Sequence, residues 1–143
     1  MDAAYLQLIV SELQRTLCGA TVTHVSARDQ RTVLLGLRVR GTRRDLLASA
    51  NPATPCLYLL SEPAAGLESE TQPPFVQSMR RLLHSAHLEA IEQPPWDRLV
   101  RLRFASARNG HTLQRIELIV ELTGRNSNLL LVGPDDQRIL DCL

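Results

Sequence analysis

The chain has 143 residues, the size of one ordinary domain, large enough to bury roughly two thirds of its unfolded surface without a metal or disulfide staple. With 44% hydrophobic and 22% charged residues, it falls outside the collagen-like, coiled-coil and disordered classes, and no run of about 18 apolar residues marks a membrane span or signal peptide. The net charge of +1, from 16 basic against 15 acidic residues, excludes a polybasic tail, so any contact with nucleic acid has to be local.

Over residues 2–17, Leu6, Ile9, Val10, Leu13 and Leu17 recur at intervals of three and four, which predicts a helix with one buried stripe, Asp2 as N-cap and Gly19 just past its end. The period then changes. Residues 20–28 and 32–40 read as strands around a turn at 29–31, and a third strand begins near Asp45. The apolar run 56–60 reads as a buried strand. Gly, Pro, Ser, Thr and Glu collect over 63–74, a loop, and Pro73 and Pro74 open a second helix over 74–85 with Phe75, Met79, Leu82 and Leu83 on its apolar face.

Beyond it, residues 88–93, 98–105, 113–122 and 128–132 read as strands, with turn signals at Asn109-Gly110 and Pro134-Asp135-Asp136 and a last strand over 138–142. The class is α+β. The order helix, strands, helix, strands resembles two similar halves, although no fixed-period repeat accompanies it.

Chemistry-bearing residues are sparse. Cys18, Cys56 and Cys142 are odd in number and widely spaced, which excludes a disulfide framework or zinc knuckle and predicts reduced, structural thiols. His84 and His87 stand three apart on the second helix without a third ligand, so no metal is expected there. No phosphate loop, nucleophile elbow or paired catalytic acids occur, so the chain is not expected to be an enzyme or to need a cofactor.

Basic residues, all arginine, cluster in two places. Residues 28–45 carry six arginines against two aspartates, and residues 80–115 carry seven against two glutamates and Asp97, so each segment is locally +4. Arg38 with Arg40, and Arg101 with Arg103, alternate along strands and so share a face, which is either a solvated surface or one that meets phosphate. Aromatic residues make up only 3%, too few for extensive base stacking.

Two segments stand out. Trp96-Asp97-Arg98 follows Gln93-Pro94-Pro95 and precedes a strand, so adjacent acid and base project in different directions; one can order the loop while the other meets a ligand, or both can pair internally, Glu121 being one partner. In the stretch 121–128, Gly124 permits a turn closed to other residues, and Asn126, Ser127 and Asn128 can bond nearby amides, holding Arg125 on a rigid connection that is either a ligand contact or a plain turn.

At these segments the sequence resembles the amino-terminal domain of the NFACT family of ribosome-quality-control proteins, whose bacterial members carry an older label as fibronectin-binding proteins. The matching residues are Met1-Asp2 with Ser11-Glu12-Leu13; Pro73-Pro74-Phe75 with Met79-Arg80-Arg81 and Leu83; Gln93 with Asp97-Arg98; Glu121-Leu122 with Gly124-Arg125-Asn126-Ser127-Asn128; and Arg138-Ile139-Leu140-Asp141. The resemblance covers the whole chain. It departs from the family's usual Phe-Asp-Gly start, which here is Met1-Asp2-Ala3.

The resemblance implies a β-sandwich-like core akin to the amino-terminal domain of formamidopyrimidine-DNA glycosylases, without their proline nucleophile or zinc finger. It implies a single domain over 1–143, followed in a longer protein by helical modules. Asp2, Asp97 and Arg98 would handle tRNA, with Arg80, Arg81, Arg101 and Arg125 supporting contacts to RNA or ribosome. The partners implied are tRNA, alanyl-tRNA in bacterial relatives, the large ribosomal subunit carrying peptidyl-tRNA, and the remaining modules of the same protein. The expected setting is cytoplasmic and ribosome-associated, with no membrane partner. The other reading is a protein-interaction or scaffold domain, docking on the ribosome or a fibronectin-type ligand without touching RNA.

Overall fold

The computed structural model describes residues 1–64, 69, 71–108, 112–133 and 138–143. Helix α1 (Ala3–Leu17) starts where Asp2 Oδ1 accepts a hydrogen bond from the Tyr5 amide at 2.7 Å, and it buries Leu6, Val10, Leu13 and Leu17. The N-cap satisfies one of the amides that a helix start leaves unpaired. Four antiparallel strands follow, β1 (Thr21–Asp29), β2 (Thr32–Val39), β3 (Thr42–Ser49) and β4 (Cys56–Leu59). Helix α2 (Pro74–Leu83) opens with proline at its first position, and five strands complete the chain, β5 (His87–Glu92), β6 (Leu99–Arg108), β7 (Thr112–Glu121), β8 (Asn128–Gly133) and β9 (Arg138–Cys142). The α+β class, with two helices and antiparallel strands among the described residues, is as expected.

Among the described residues the strands form one nine-stranded sheet in the order β4-β3-β2-β1-β5-β6-β7-β8-β9. Each half is a meander of sequential hairpins. The halves meet at a narrow joint, where β1 and β5 are paired at a single position, Thr21 opposite His87. Both helices and the inward residues of both halves, among them Leu13, Leu35, Leu57, Met79, Leu102 and Leu129, contribute to one core cluster.

The joint is symmetric. The Gly19 amide donates to Leu88 O at 2.8 Å and the Ser85 amide to Val22 O at 3.0 Å; the Val22 amide donates to Ala86 O at 2.9 Å and the Leu88 amide to Ala20 O at 2.8 Å. Every residue in the first half of this set has its counterpart 66 positions later. The correspondence extends outward: β1 and β5 each carry an irregularity in pairing, at Thr23 and Glu89. In the last turn of each helix, Gln14 Nε2 donates to Ile91 O at 2.6 Å and Arg80 Nε to Val25 O at 2.7 Å. Past the first hairpin of each half the offset becomes 67, and past the second it becomes 72, as the pairs Val33 with Ala48 and Val100 with Val120 show. A quasi-two-fold axis therefore passes through the Thr21 and His87 pair.

Gly19 and Ser85 occupy equivalent left-handed positions, at φ 88° and 64°. Glycine adopts this conformation without strain, whereas a side chain opposes it. Ser85→Gly is expected to raise stability by about 0.5–1 kcal/mol, read from urea denaturation midpoints.

The structure revises several expectations. The third strand begins at Thr42, not near Asp45, because Arg40 (φ 50°) and Gly41 (φ 79°) make a two-residue turn of the hairpin kind. Arg40 thus leaves the strand and does not share a face with Arg38. Helix α2 ends at Leu83, so His84 is its cap and His87 opens β5. Cys18 and Cys142 are exposed and only Cys56 is partly covered, where burial pushes its thiol up against the opposing charges of the amino terminus and Arg28. The turns at Asn109-Gly110 and Pro134-Asp135-Asp136 lie outside the described residues. No helix among the described residues is long and apolar enough to cross a membrane.

Candidate nucleic-acid interface

The chain passes from β5 to β6 through residues 93–98. The Asp97 amide donates to Pro94 O at 3.1 Å, closing a four-residue turn, and Asp97 Oδ1 accepts from the Arg98 amide at 2.7 Å. The aspartate thereby shapes the entry to the strand. Its carboxylate meets the backbone of Arg98, so the guanidinium of Arg98 has no hydrogen bond or ion pair among the described residues and faces solvent.

Gln93 links this loop to the start of the chain. Its Nε2 donates to Ala3 O at 3.1 Å and to Asp97 O at 2.8 Å. Gln93 thus ties the first residue of α1, which follows Asp2, to the backbone of Asp97 across some ninety residues of sequence. A third segment joins them: the Leu122 amide donates to Arg98 O at 2.8 Å, and a short 3-10 turn over Gly124–Asn126 follows, with Gly124 at φ 75° as its sequence requires.

Arg31 fixes this turn from the other half of the sheet. Its Nε donates to Ala50 O at 3.0 Å and its Nη2 to Ser127 O at 2.9 Å. Asp2, Asp97, Arg98 and Arg125 therefore stand on elements tied together by Gln93, Arg31 and backbone bonds. Arg125 is exposed on the turn. Sequence reasoning placed Arg31 in a basic cluster and missed this clamp, because its partners are carbonyls that carry no residue signature.

The remaining predicted contacts lie elsewhere. Arg80 donates through Nε to Val25 O, as described, and through Nη2 to Gln72 Oε1 at 3.2 Å, so it braces α2 against β1, with Arg81 next to it on the helix. Arg101 lies on the outer face of the second half, in an open hollow of about 850 Å³ that it shares with Arg103, Arg115 and three glutamates. Arg103 is 3.3 Å from Glu117 and 3.7 Å from Glu92, and Arg115 is 3.2 Å from Glu89. In space β7 adds Glu117 and Glu121 to this face, so the three arginines of the hollow meet three glutamates and the hollow itself carries no net charge. The free cations at the described segments are those of Arg98, Arg101 and Arg125, without hydrogen bonds or ion pairs among the described residues.

No group of His, Cys, Asp and Glu among the described residues is arranged to hold a metal ion. What the tied segments offer is two exposed arginines, Arg98 and Arg125, on hydrogen-bonded backbone, a type of arrangement suited to phosphate and polar base edges.

Residues 2–143 match the family model for the NFACT N-terminal and middle domains. The chain belongs to the NFACT family. The Rqc2 homolog RqcH of Streptococcus pneumoniae is 28% identical over 143 residues, and that of Bacillus subtilis 25%, each alignment covering 99% of this chain and 25% of the relative. This NFACT chain thus spans about a quarter of the length of the curated relatives it matches. Among solved structures, the N-terminal domain of the fibronectin-binding protein PavA from Streptococcus pneumoniae superposes with a TM-score of 0.91 at 26% identity, covering 99% of this chain and 52% of that one. The N-terminal part of the fibronectin/fibrinogen-binding protein of Streptococcus suis gives 0.92 at 23% identity, with the same coverage, which shows a shared fold.

Proposed function

We propose that this domain binds and positions tRNA, as the amino-terminal module of a factor that acts on the large ribosomal subunit carrying peptidyl-tRNA in ribosome quality control and supports untemplated, alanine-rich tailing of stalled chains. The observation that supports this reading is the tie that Gln93 makes between Ala3 O, next to Asp2 in the chain, and Asp97 O, with the Arg98 guanidinium unpaired among the described residues. Arg98 contacts a phosphate or a base edge, Asp2 and Asp97 accept from ribose or base, and Arg125 adds a second cation on the adjoining turn. Arg80, Arg81 and Arg101 supply supporting contacts to RNA or ribosome. Peptide-bond formation remains the ribosome's chemistry, so the domain is not catalytic, and its setting is the cytoplasm. The kinship to the glycosylase amino-terminal domain, with both sheet halves closing on one core as in a sandwich, belongs to the same reading.

The test is a salt titration of binding to total bacterial tRNA. Arg98→Ala is expected to weaken binding roughly ten-fold and, like Arg125→Ala, to lower the slope of log affinity against log salt by about one. A folded sample that fails to bind tRNA at low salt would replace this reading with the scaffold one, in which the same face docks on protein.

A further inference from the structure

Trp96 is the single tryptophan of the chain, and 86% of its surface is exposed. It stands third in the turn closed by the Asp97 amide and Pro94 O, at φ 62°, after Pro95. A turn with proline second and positive φ third is of the type that favours glycine in that place. Folding therefore gains little from this ring, which is neither buried nor comfortable in its backbone. Two prolines hold its base, so the ring is presented with little freedom left to lose on binding.

Beneath it lies a cleft of about 240 Å³ lined by Ala3, Gln7, Gln93, Pro94, Pro95 and Trp96. The lining holds no charged side chain: two prolines and the indole wall it together with Gln7 and Gln93, and Arg98, unpaired among the described residues, follows Trp96 by two positions in the chain. A flat neutral ring attached to a phosphate fits both features at once. An apolar peptide side chain would use the ring and leave the guanidinium without a counter-charge. A base inside a duplex is already stacked and cannot enter a cleft this small.

We propose that Trp96 is a stacking platform for one unpaired nucleotide base of an RNA, with Arg98 on the neighbouring phosphate. The proposal rests on the RNA-binding reading above and adds the feature recognised, an unpaired nucleotide, and the residue that recognises it.

Because Trp96 is the sole tryptophan, its fluorescence reports on this site alone. The full chain is titrated with a labelled oligoadenylate of about twelve nucleotides, a blunt RNA duplex and inorganic polyphosphate, following label anisotropy and tryptophan emission together. Oligoadenylate is expected to quench emission saturably, and polyphosphate and duplex to bind without quenching. Trp96→Ala is expected to lower oligoadenylate affinity roughly ten-fold, and Trp96→Phe to lose less. Trp96→Gly, which removes the ring and suits the backbone, should match Trp96→Ala and so excludes a folding artefact. Oligoadenylate binding with unchanged emission, and with Trp96→Gly within about two-fold of the parent, overturns the platform and leaves the RNA reading standing. No binding of any RNA by the folded chain overturns both.

Discussion

Asp45→Ala is expected to lower the unfolding free energy by about 2–4 kcal/mol, measured by urea denaturation. The carboxylate is 3% exposed on the outer face of the first half. Its Oδ2 accepts from the Ala64 amide at 2.7 Å and its Oδ1 from Arg43 Nε at 3.0 Å, while its carbonyl accepts from Leu60 at 2.9 Å. Truncation leaves the Ala64 amide without its partner and unmoors the chain that leaves β4. Arg43 lies half in water and finds solvent in place of the carboxylate. Arg43→Ala is therefore expected to cost no more than about 1 kcal/mol, because an exposed ion-pair partner contributes little. Amide exchange at Ala64, faster in Asp45→Ala than in Arg43→Ala, separates the backbone bond from the ion pair.

Arg31→Ala carries the second large effect, about 2 kcal/mol of stability together with a loss of tRNA affinity comparable to that of Arg125→Ala. The two bonds it removes reach Ala50 O and Ser127 O, so both the end of β3 and the turn bearing Arg125 lose a charged donor. Arg31→Lys should recover at most one of the two, because an ammonium lacks the fork that spans two carbonyls. Denaturation and tRNA titration on the same samples test this. Unchanged affinity in a destabilised Arg31→Ala would show that the Gly124–Asn126 turn holds its shape unaided.

Much of the fold is legible in the sequence wherever local periodicity decides it. Leu6, Val10, Leu13 and Leu17 announce α1, and the alternation from Leu99 through Phe104 announces β6. The hairpin at Arg40-Gly41 is less visible, since arginine is an unusual residue at positive φ and only the glycine after it signals the turn. The Asp97-Arg98 segment is legible by resemblance, and the structure adds the long-range tie from Gln93 to Ala3. That tie is absent from any local reading, because a side-chain amide bonding a distant carbonyl leaves no spacing to detect. The charge of the second half is misread along the chain for a related reason: Glu117 lies opposite Arg103 across β6 and β7, fourteen positions away. The two similar halves show no fixed repeat because their hairpins differ in length, by one residue between the first and second strands of each half and by five between the second and third.

The two-fold relation bears on the two arginines that follow the first turn of each half. The Ala50 amide donates to Arg31 O at 2.8 Å, and at the equivalent place the Leu122 amide donates to Arg98 O at 2.8 Å. Arg31 and Arg98 are thus the same residue of two copies of one architecture, each at the exit of its half's first hairpin turn. In one copy the arginine is turned inward as a rivet. In the other, the longer turn with its prolines and tryptophan lifts the arginine outward and leaves it available. The inward arginine bonds Ser127 O at the turn that bears Arg125, and the outward one is left to solvent, so the same place in the two halves serves the interior in one and the surface in the other.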